Sequence, residues 1–433
     1  MHRFSRLFPL LLLAGPIAAQ APAPVTLTLP GAIAMGRQHG VSAALARLNE
    51  RVAEARVGQR RADLLPSVSL GAGTTRQTVN IDEFGIPFAK GVTDPFTVWR
   101  FQVHASETLF DASTLTRFRA ARDSAIASGA DTRAVGELAA ASAGLTYLRA
   151  LSASETVRAR EADSVVAASL LDQARQLVGA GVSAAIDGTR SEVQLASVLT
   201  QLEVARNQHD RALLDLARAL DLAPETPLVL ADSLVAGEAA IPGTPEAAVA
   251  FALEHRAEVE AERSRTRVLE RSLKAIGYEY LPSLSLAGGY TQSGRTLGSL
   301  AGSYNIGIQV TLPLLDGFRR PARQQEQAAR LEAQRLRQHD LERQVATDTR
   351  QALLDLSSAD HQVQLASDRL RLAERELSQA RDRFTAGVAG TVETTSAQGG
   401  LIAARDGLIQ AHVNAAVARV LALRALGILE QLK

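Results

Sequence analysis

Residues 352–387, ALLDLSSADHQVQLASDRLRLAERELSQARDRFTAG, carry an apolar residue at every seventh position. The apolar series is Leu356, Val363, Leu370, Leu377 and Phe384, and a small residue follows each member by three positions: Ala359, Ala366, Ala373, Ala380 and Gly387. A 3–4 spacing sustained in this way indicates a helix that packs along a seam against another helix. Small residues at every second seam position allow the two backbones to approach closely.

The same pattern occurs 206 residues earlier in the chain. The matching apolar positions are Val157 with Val363, Leu171 with Leu377 and Val178 with Phe384. The turn that begins Gly179-Ala180-Gly181 corresponds to Thr385-Ala386-Gly387, and Asp187 corresponds to Glu393. The sequence therefore predicts an internal duplication whose unit is one long helical hairpin.

Composition excludes several classes of function. The 433 residues include no cysteine, so the chain has no disulfide framework, thiolate metal site or cysteine nucleophile. The formal net charge of +1 gives no indication of a nucleic-acid partner. The histidines are scattered without metal-ligand spacing, and no phosphate-binding glycine loop or Gly-x-Ser-x-Gly motif is present. We therefore predict no catalytic residue, cofactor site or metal site, and no enzyme.

Residues 1–21 have the features of a secretory signal peptide. His2, Arg3 and Arg6 are basic, an apolar run extends over 7–14, and small residues suited to cleavage follow at 18–21. An anchor helix is the alternative, but the apolar run is too short to cross a bilayer. No cysteine follows, so lipoprotein acylation is excluded. No later segment approaches ~18 apolar residues, and a membrane span would have to be a closed β-barrel.

The chain divides into two repeats joined by a linker rich in proline and glycine at 227–244. The first repeat, 22–226, is predicted to hold a helix over about 30–64, strands at about 67–74 and 98–109, a long helix over 111–178, and a helix over 188–222. The second repeat, 245–433, is predicted to hold a helix over 245–280, strands at about 283–291 and 303–312, a long helix over 317–386, and a helix over 394–429. The fold class is mainly α with a small β part.

The four strands alternate apolar and polar residues, which is typical of strands with one buried face. From the residues alone they could form outer-membrane hairpins or soluble hairpins that lie on the helices. Four strands are too few to close a barrel, for which ~8 is the usual minimum. If the strands enter a membrane, several copies of the chain must assemble.

Several motifs resemble those of the outer membrane efflux protein family, the TolC-like channels of tripartite pumps and type I secretion systems. They are Leu-Pro-Ser-x-Ser-Leu at 65–70 and 281–286, Leu-Pro-Leu-Leu-Asp-Gly at 312–317, the paired Gly-Val turns, and residues 252–258. The resemblance covers about residues 27–429. It implies a homotrimer in which twelve strands form one outer-membrane β-barrel, while twelve helices form an α-helical barrel that projects into the periplasm.

The resemblance also implies an aperture at the hairpin tips, 179–188 and 385–393, that opens when a periplasmic adaptor and an inner-membrane transporter engage. The gate or adaptor-contact candidates are Gly181, Asp187, Phe384, Gly387 and Glu393. Phe384 stands where the family's gate has a tyrosine, Ala389 replaces an arginine, and Ser396 replaces an acid. Alternatively, the acids offset helix dipoles and the glycines serve as left-handed helix caps.

Trp99 and Phe101 are candidates for contact with outer-membrane lipid at the membrane interface, the alternative being ordinary strand packing. The sequence as a whole predicts a passive exit duct of a tripartite efflux pump or type I secretion system. A soluble periplasmic coiled-coil scaffold or adaptor is the alternative, which explains the hairpins but not the four strands.

Overall fold

The computed structural model describes residues 24–85, 88, 90–233 and 241–431, so the predicted signal peptide, 1–21, lies outside the described residues. The first half contains β1 (Val25–Leu27), α1 (Leu29–His39), α2 (Val41–Ala62), β2 (Ser67–Gln77), β3 (Phe96–Phe110), α3 (Ala112–Gly179) and α4 (Ala185–Ala219). The second half contains β4 (Leu228–Leu230), α5 (Pro245–His255), α6 (Ala257–Tyr278), β5 (Ser283–Gly294), β6 (Ala301–Thr311), α7 (Arg319–Thr385) and α8 (Thr391–Leu426). Short 3₁₀ turns lie at Ile81–Phe84, Leu297–Ser299 and Leu429–Gln431.

The two long helices form antiparallel hairpins with the helices that follow them. α3 has 68 residues and packs against α4, and α7 has 67 residues and packs against α8. At 1.5 Å per residue each long helix extends about 100 Å. The helices at the start of each half also lie against these long helices, α1 and α2 on α3, and α5 and α6 on α7. α3 additionally contacts α6 and α8, which joins the two halves.

The single helices predicted over 30–64 and 245–280 are each two helices. The first is interrupted at Gly40 and the second at Arg256, where ψ is 136° and 126°. At the second break the end of α8 approaches closely, because a Cβ added to Gly427 would lie 3.2 Å from the backbone nitrogen of Arg256. Tertiary packing at mid-height thus interrupts a helical pattern that is continuous in the sequence.

A small parallel sheet also occurs, and one of its two strands lies in the segment that the sequence indicated only as a linker. β1 pairs with β4 in the register Val25 to Leu228. The hydroxyl oxygen of Tyr147 lies 3.1 Å from the carbonyl oxygen of Leu27 and 3.0 Å from a carboxylate oxygen of Asp232. Burial and the neighbouring Asp232 raise the pKa of Tyr147. The sheet and this buried tyrosine fasten the start of the described chain to the middle of α3.

The main core lies at this same mid-height level. Its fully or nearly fully buried side chains come from α1, α3, α5, α6, α7, α8 and the C-terminal turn: Ile33, Ala140, Leu148, Ala252, Val259, Val345, Val420, Leu423, Leu426 and Leu429. Towards the hairpin tips the core thins to a seam of alanine and leucine, with Ala373, Leu377, Ala380, Ala397, Leu401 and Ala404. The hairpins are therefore anchored at mid-height and more lightly packed at their far ends.

The larger sheet is antiparallel, in the order β2-β3-β5-β6. It stands at the opposite end of the long helices from the hairpin tips, because β3 leads directly into α3 and β6 leads into α7. None of the helices in the described ranges has a stretch with the length and hydropathy of a membrane-spanning helix.

Candidate functional site

Both hairpins turn through the same backbone motif. Gly181 donates to the carbonyl of Val178 (3.0 Å) and Val182 to that of Leu177 (2.9 Å). The corresponding bonds of Gly387 and Val388 in the second hairpin are 3.0 and 3.1 Å long. Gly181 and Gly387 each have φ +72°, the left-handed conformation of a Schellman cap. The two predicted glycines therefore set the backbone of the turns.

The two turns lie side by side. A Cβ added to Gly387 would lie 3.4 Å from a methyl group of Val182. Close by, the side-chain amide of Gln173 on α3 donates to the hydroxyl of Thr385 at 2.5 Å. The ends of the two hairpins therefore contact each other within one chain.

Asp187 connects the second helices of the two hairpins. It lies in the first turn of α4 and is 9% exposed, while Thr391 begins α8 and is 1% exposed. The Thr391 hydroxyl donates to the Asp187 carboxylate at 2.5 Å, and Arg190 lies 3.7 Å from the same carboxylate oxygen. No side chain caps α4, and the Asp187 carboxylate accepts its close hydrogen bond from the neighbouring hairpin. If Asp187 only offset the dipole of α4, it would not need the hydrogen bond from Thr391.

Glu393 has a different environment, although it matches Asp187 in the duplication. Its side chain is 44% exposed and pairs with Arg383 at 2.9 Å, within the second hairpin. The sequence explains the difference, since the first repeat has Leu177 where the second has Arg383, and Ala185 where the second has Thr391. The two acids are equivalent in sequence position but not in contact.

Phe384 is 1% exposed and lies three residues before the left-handed Gly387. It therefore stabilises the end of α7 by packing, and it has no hydroxyl with which to form a hydrogen bond. Ser396 is exposed and Ala389 is half-buried. The tip thus combines a buried aromatic ring with the Asp187–Thr391 hydrogen bond.

Further buried polar side chains follow the first turns of α4 and α8. The hydroxyls of Ser191 and Thr394 donate to carbonyls of their own helices, those of Asp187 and Thr391, at 3.0 and 2.9 Å. Gln398 is 1% exposed, and neither atom of its amide has a hydrogen-bond partner among the described residues. A buried amide without partners is destabilising.

A chain of four charged residues, which the sequence did not reveal, joins α3 to α8. Asp163, 1% exposed, contacts Arg160 at 2.9 Å and Arg405 at 2.5 Å, and Arg160 also contacts Asp406 at 2.5 Å. Burial would lower the pKa of Arg160, but hydrogen bonds and charges from Asp406 and Asp163 outweigh it and raise that pKa. Asp163 is therefore not part of a solvated helix face. At 1.5 Å per residue, Asp163 and its partners lie about 24 Å along α3 from the C-terminal end of that helix.

The larger sheet has one mainly apolar face. Register pairs Leu70 with Val103, Val103 with Tyr290, and Tyr290 with Tyr304, and side chains that pair in this way point to the same side. That face carries Val68, Leu70, Ala72, Trp99, Phe101, Val103, Leu284, Leu286, Tyr290, Tyr304, Ile306, Ile308 and Val310, interrupted by Thr74, Arg76, Thr97, Glu107 and Gln292. The opposite face is polar or small for most of its length, with Ser67, Ser69, Arg100, Gln102, His104, Ser106, Ser285, Thr291, Asn305 and Gln309. Trp99 and Phe101 both lie on the apolar face, near the end of the sheet distant from the helices.

In the described part of the chain, no group of three histidine, aspartate or glutamate side chains is placed to hold a metal ion. The structure has a sheet with one apolar and one polar face at one end, and two hairpin tips in contact with each other at the other end.

The sequence profile of the outer membrane efflux protein family matches residues 34–221 and 249–427. The chain belongs to this family. Protein CyaE of Bordetella pertussis is 27% identical over 372 residues, which cover 83% of this chain and 75% of that protein.

Two solved structures share the fold. The Campylobacter jejuni CmeC outer membrane channel matches with a TM-score of 0.79 at 17% identity, over 92% of this chain and 85% of that one. The open state of the Neisseria gonorrhoeae MtrE outer membrane channel matches with a TM-score of 0.78 at 19% identity, over 94% and 90% of the two chains.

Proposed function

We propose that three copies of this chain form a passive exit duct through the outer membrane. The observation that carries the proposal is the four-stranded sheet, which has one apolar face, one polar face and two open edges and continues into helices of 68 and 67 residues. A soluble protein would cover such an apolar face, yet Tyr304, Ile306 and Ile308 are 82%, 74% and 67% exposed.

Assembly follows from the edges of the sheet. β2 and β6 are each paired on one side within the chain, and every residue of β6 is exposed. Four strands cannot close a barrel, whereas pairing of β6 with β2 of the next copy closes twelve strands in a trimer. The apolar face then meets lipid and the polar face lines the pore. Trp99 and Phe101 lie on the lipid side, where aromatic residues concentrate at membrane interfaces.

The helices extend the duct into the periplasm, and the hairpin tips close its far end. Asp187 and Thr391 form the closing contact of each chain, supported by burial of Phe384 and by the exposed Glu393–Arg383 pair. The glycine turns at Gly181 and Gly387 hold the tips in register. Because the sequence contains no phosphate-binding glycine loop, the energy for transport comes from an inner-membrane transporter, which a periplasmic adaptor couples to the tips.

The duct carries out no chemical step, and the proposal covers both efflux and type I secretion. It is tested by the single-channel conductance of the purified protein in planar bilayers, with its mass determined in detergent. A trimeric mass with small, stable conductance supports a duct closed at rest.

A trimer with large conductance supports the duct but contradicts a closing role for Asp187 and Thr391. A monomeric mass without insertion overturns the proposal and favours a soluble periplasmic scaffold.

A further inference from the structure

A cationic cavity of about 330 Å³ lies between the N-terminal end of α3, next to the larger sheet, and the last turns of α6. Its lining includes Arg119 from α3, and Arg267, Arg271, Lys274 and Tyr278 from α6. The α6 residues are spaced by four, three and four positions, so they form one stripe on the helix. Two antiparallel helices thus direct four cations and a tyrosine hydroxyl into one space.

Most of this positive charge is not neutralised within the chain. Arg271 pairs with Asp123, but in the described part of the chain no carboxylate lies within ion-pair distance of Arg119, Arg267 or Lys274. Glu270 is the one acid in the lining, and it pairs with Arg335 of α7 at 2.8 Å. The cavity therefore has a surplus of donors and positive charge, which suits an anion with several oxygen acceptors.

The position of the cavity narrows the choice of anion. Arg119 is in the second turn of α3, about 10 Å below the start of the helix at 1.5 Å per residue. Tyr278 ends α6, five residues before β5 begins at Ser283. The polar headgroup layer occupies about 5–8 Å on each side of the hydrocarbon core. If the sheet spans the hydrocarbon, the upper part of the cavity lies close to the headgroup phosphates.

We propose that this cavity binds a phosphate-bearing anion, and that the anion is the headgroup of an anionic phospholipid in the periplasmic leaflet. Arg119 and Lys274 contact the phosphate oxygens, Arg267 adds positive charge from below, and the Tyr278 hydroxyl donates a hydrogen bond. The ring of Tyr278 lies at the boundary between lipid and water. The choice of a lipid source rests on the proposed membrane insertion, whereas the binding of a phosphate group does not.

The test is a binding titration of the full-length protein in detergent, in which native mass spectrometry detects the bound ligand. Phosphatidylglycerol, phosphatidylcholine and soluble glycerol phosphate are the three probes. Arg119→Gln with Lys274→Gln removes two exposed cations that have no ion-pair partner among the described residues. Arg61→Gln is the matched control, since Arg61 is an exposed cation in the last turn of α2, also just below the sheet.

We expect phosphatidylglycerol to bind more tightly than phosphatidylcholine, and the double variant to weaken it by about tenfold because each cation near an anionic lipid contributes to binding. Arg61→Gln should leave binding unchanged. If glycerol phosphate binds as well as phosphatidylglycerol and is weakened by the same variant, the phosphate site stands and a soluble source replaces the lipid.

Equal binding of all three probes, or an equal loss in Arg61→Gln, overturns the site. Conductance of the same samples is recorded separately. A failure to insert would count against the duct, while the titration with glycerol phosphate would still decide the site.

Discussion

Thr391 supplies Asp187 with a hydrogen-bond donor from the other hairpin. The other charged neighbour of this 9% exposed carboxylate, Arg190, is 3.7 Å away, so Thr391 supplies its close hydrogen bond, and a hydrogen bond to a charged group contributes on the order of 1.5–3 kcal/mol. Thr391→Val keeps the side-chain volume and removes the hydroxyl. We expect the closed tip to be destabilised and the conductance in planar bilayers to increase, with openings about tenfold more frequent.

Thr394→Val is the control for that experiment. Thr394 is 2% exposed and its hydroxyl donates to the carbonyl of Thr391, within its own helix. It therefore tests the loss of a buried hydroxyl without loss of a contact between hairpins. Equal increases in conductance from the two variants would mean that the Asp187–Thr391 bond does not hold the tip closed.

Glu137, which lies at mid-height on the long helix α3, makes the stability of the fold dependent on pH. Burial raises the pKa of Glu137 above its ordinary value near 4.5, and the neighbouring Glu258 raises it further, while Arg37 and Arg256 offset part of this. Glu430, which also raises it, is held by Arg37 at 2.7 Å. A carboxyl with a raised pKa favours folding when protonated, so its contribution is lost as the pH rises through that pKa.

Glu137→Gln should therefore increase the Tm at a pH of about 8 and leave it nearly unchanged at a pH of about 4. The measurement is thermal unfolding in detergent, followed by circular dichroism at both pH values. Glu54→Gln, on an exposed position of α2, is the comparison. A gain that is the same at both pH values would show that charge on Glu137 is not its cause.

At the scale of the helices, the four charged residues around Asp163 join α3 to α8. Arg160→Met leaves the buried Asp163 with Arg405 alone and Asp406 without its partner. Breaking a buried ion pair by removing one member typically costs about 3 kcal/mol or more. We expect a large decrease in Tm, whereas Arg371→Met, which removes an exposed pair with Asp368, should change stability by less than about 1 kcal/mol.

Replacing both Arg160 and Asp163 by apolar residues distinguishes the charge from the packing. The double variant removes the 1% exposed carboxylate together with Arg160 and leaves only the more exposed Arg405 and Asp406 without partners, so it should be less destabilised than Arg160→Met alone. A double variant that unfolds at a lower temperature than the single one would refute this account of the chain.

The elements show which parts of the fold a sequence can reveal. Period and turn residues predicted the hairpins and the four longer strands, because those signals are local and repeated. The break at Arg256 could not be predicted in this way, because it depends on the approach of Gly427 from the other end of the repeat. β1 and β4 have three residues each, too few to show a period.

The tip was predicted in outline and not in its contacts. Duplication pointed to Asp187 and Glu393 as a matched pair, and the left-handed glycines follow from the turn sequence. The partner of Asp187 lies 204 residues away, at a position where the other repeat has alanine. Asp163 was missed for the same reason, since a helix carboxylate near arginines gives no local sign of being buried.

At the scale of the whole molecule, the two faces of the sheet make a direct prediction about lipid. The chain has no cysteine, so single introduced cysteines report without background. In liposomes, cysteines at Gln102 and Asn305 on the polar face should react with a charged, membrane-impermeant thiol reagent. Cysteines at the adjacent Val103 and Ile306 should be protected, because they face hydrocarbon.

Detergent-solubilised protein provides the control for thiol labelling, since all four cysteines should become more similar in reactivity without a bilayer. Equal labelling of neighbouring positions in liposomes would show that the sheet does not lie in the membrane.

The unlike tips of the two hairpins also have a genetic consequence. In the proposed trimer, six hairpins alternate around the aperture, three with Asp187 and three with Thr391. If the ring were built from six identical half-length chains, each with one hairpin, every substitution would occur in all six hairpins. Here a single codon change alters alternate hairpins and leaves the three between them intact. Fusion of the halves thus allows one contact of the ring to be adjusted by natural variation while the other is kept constant.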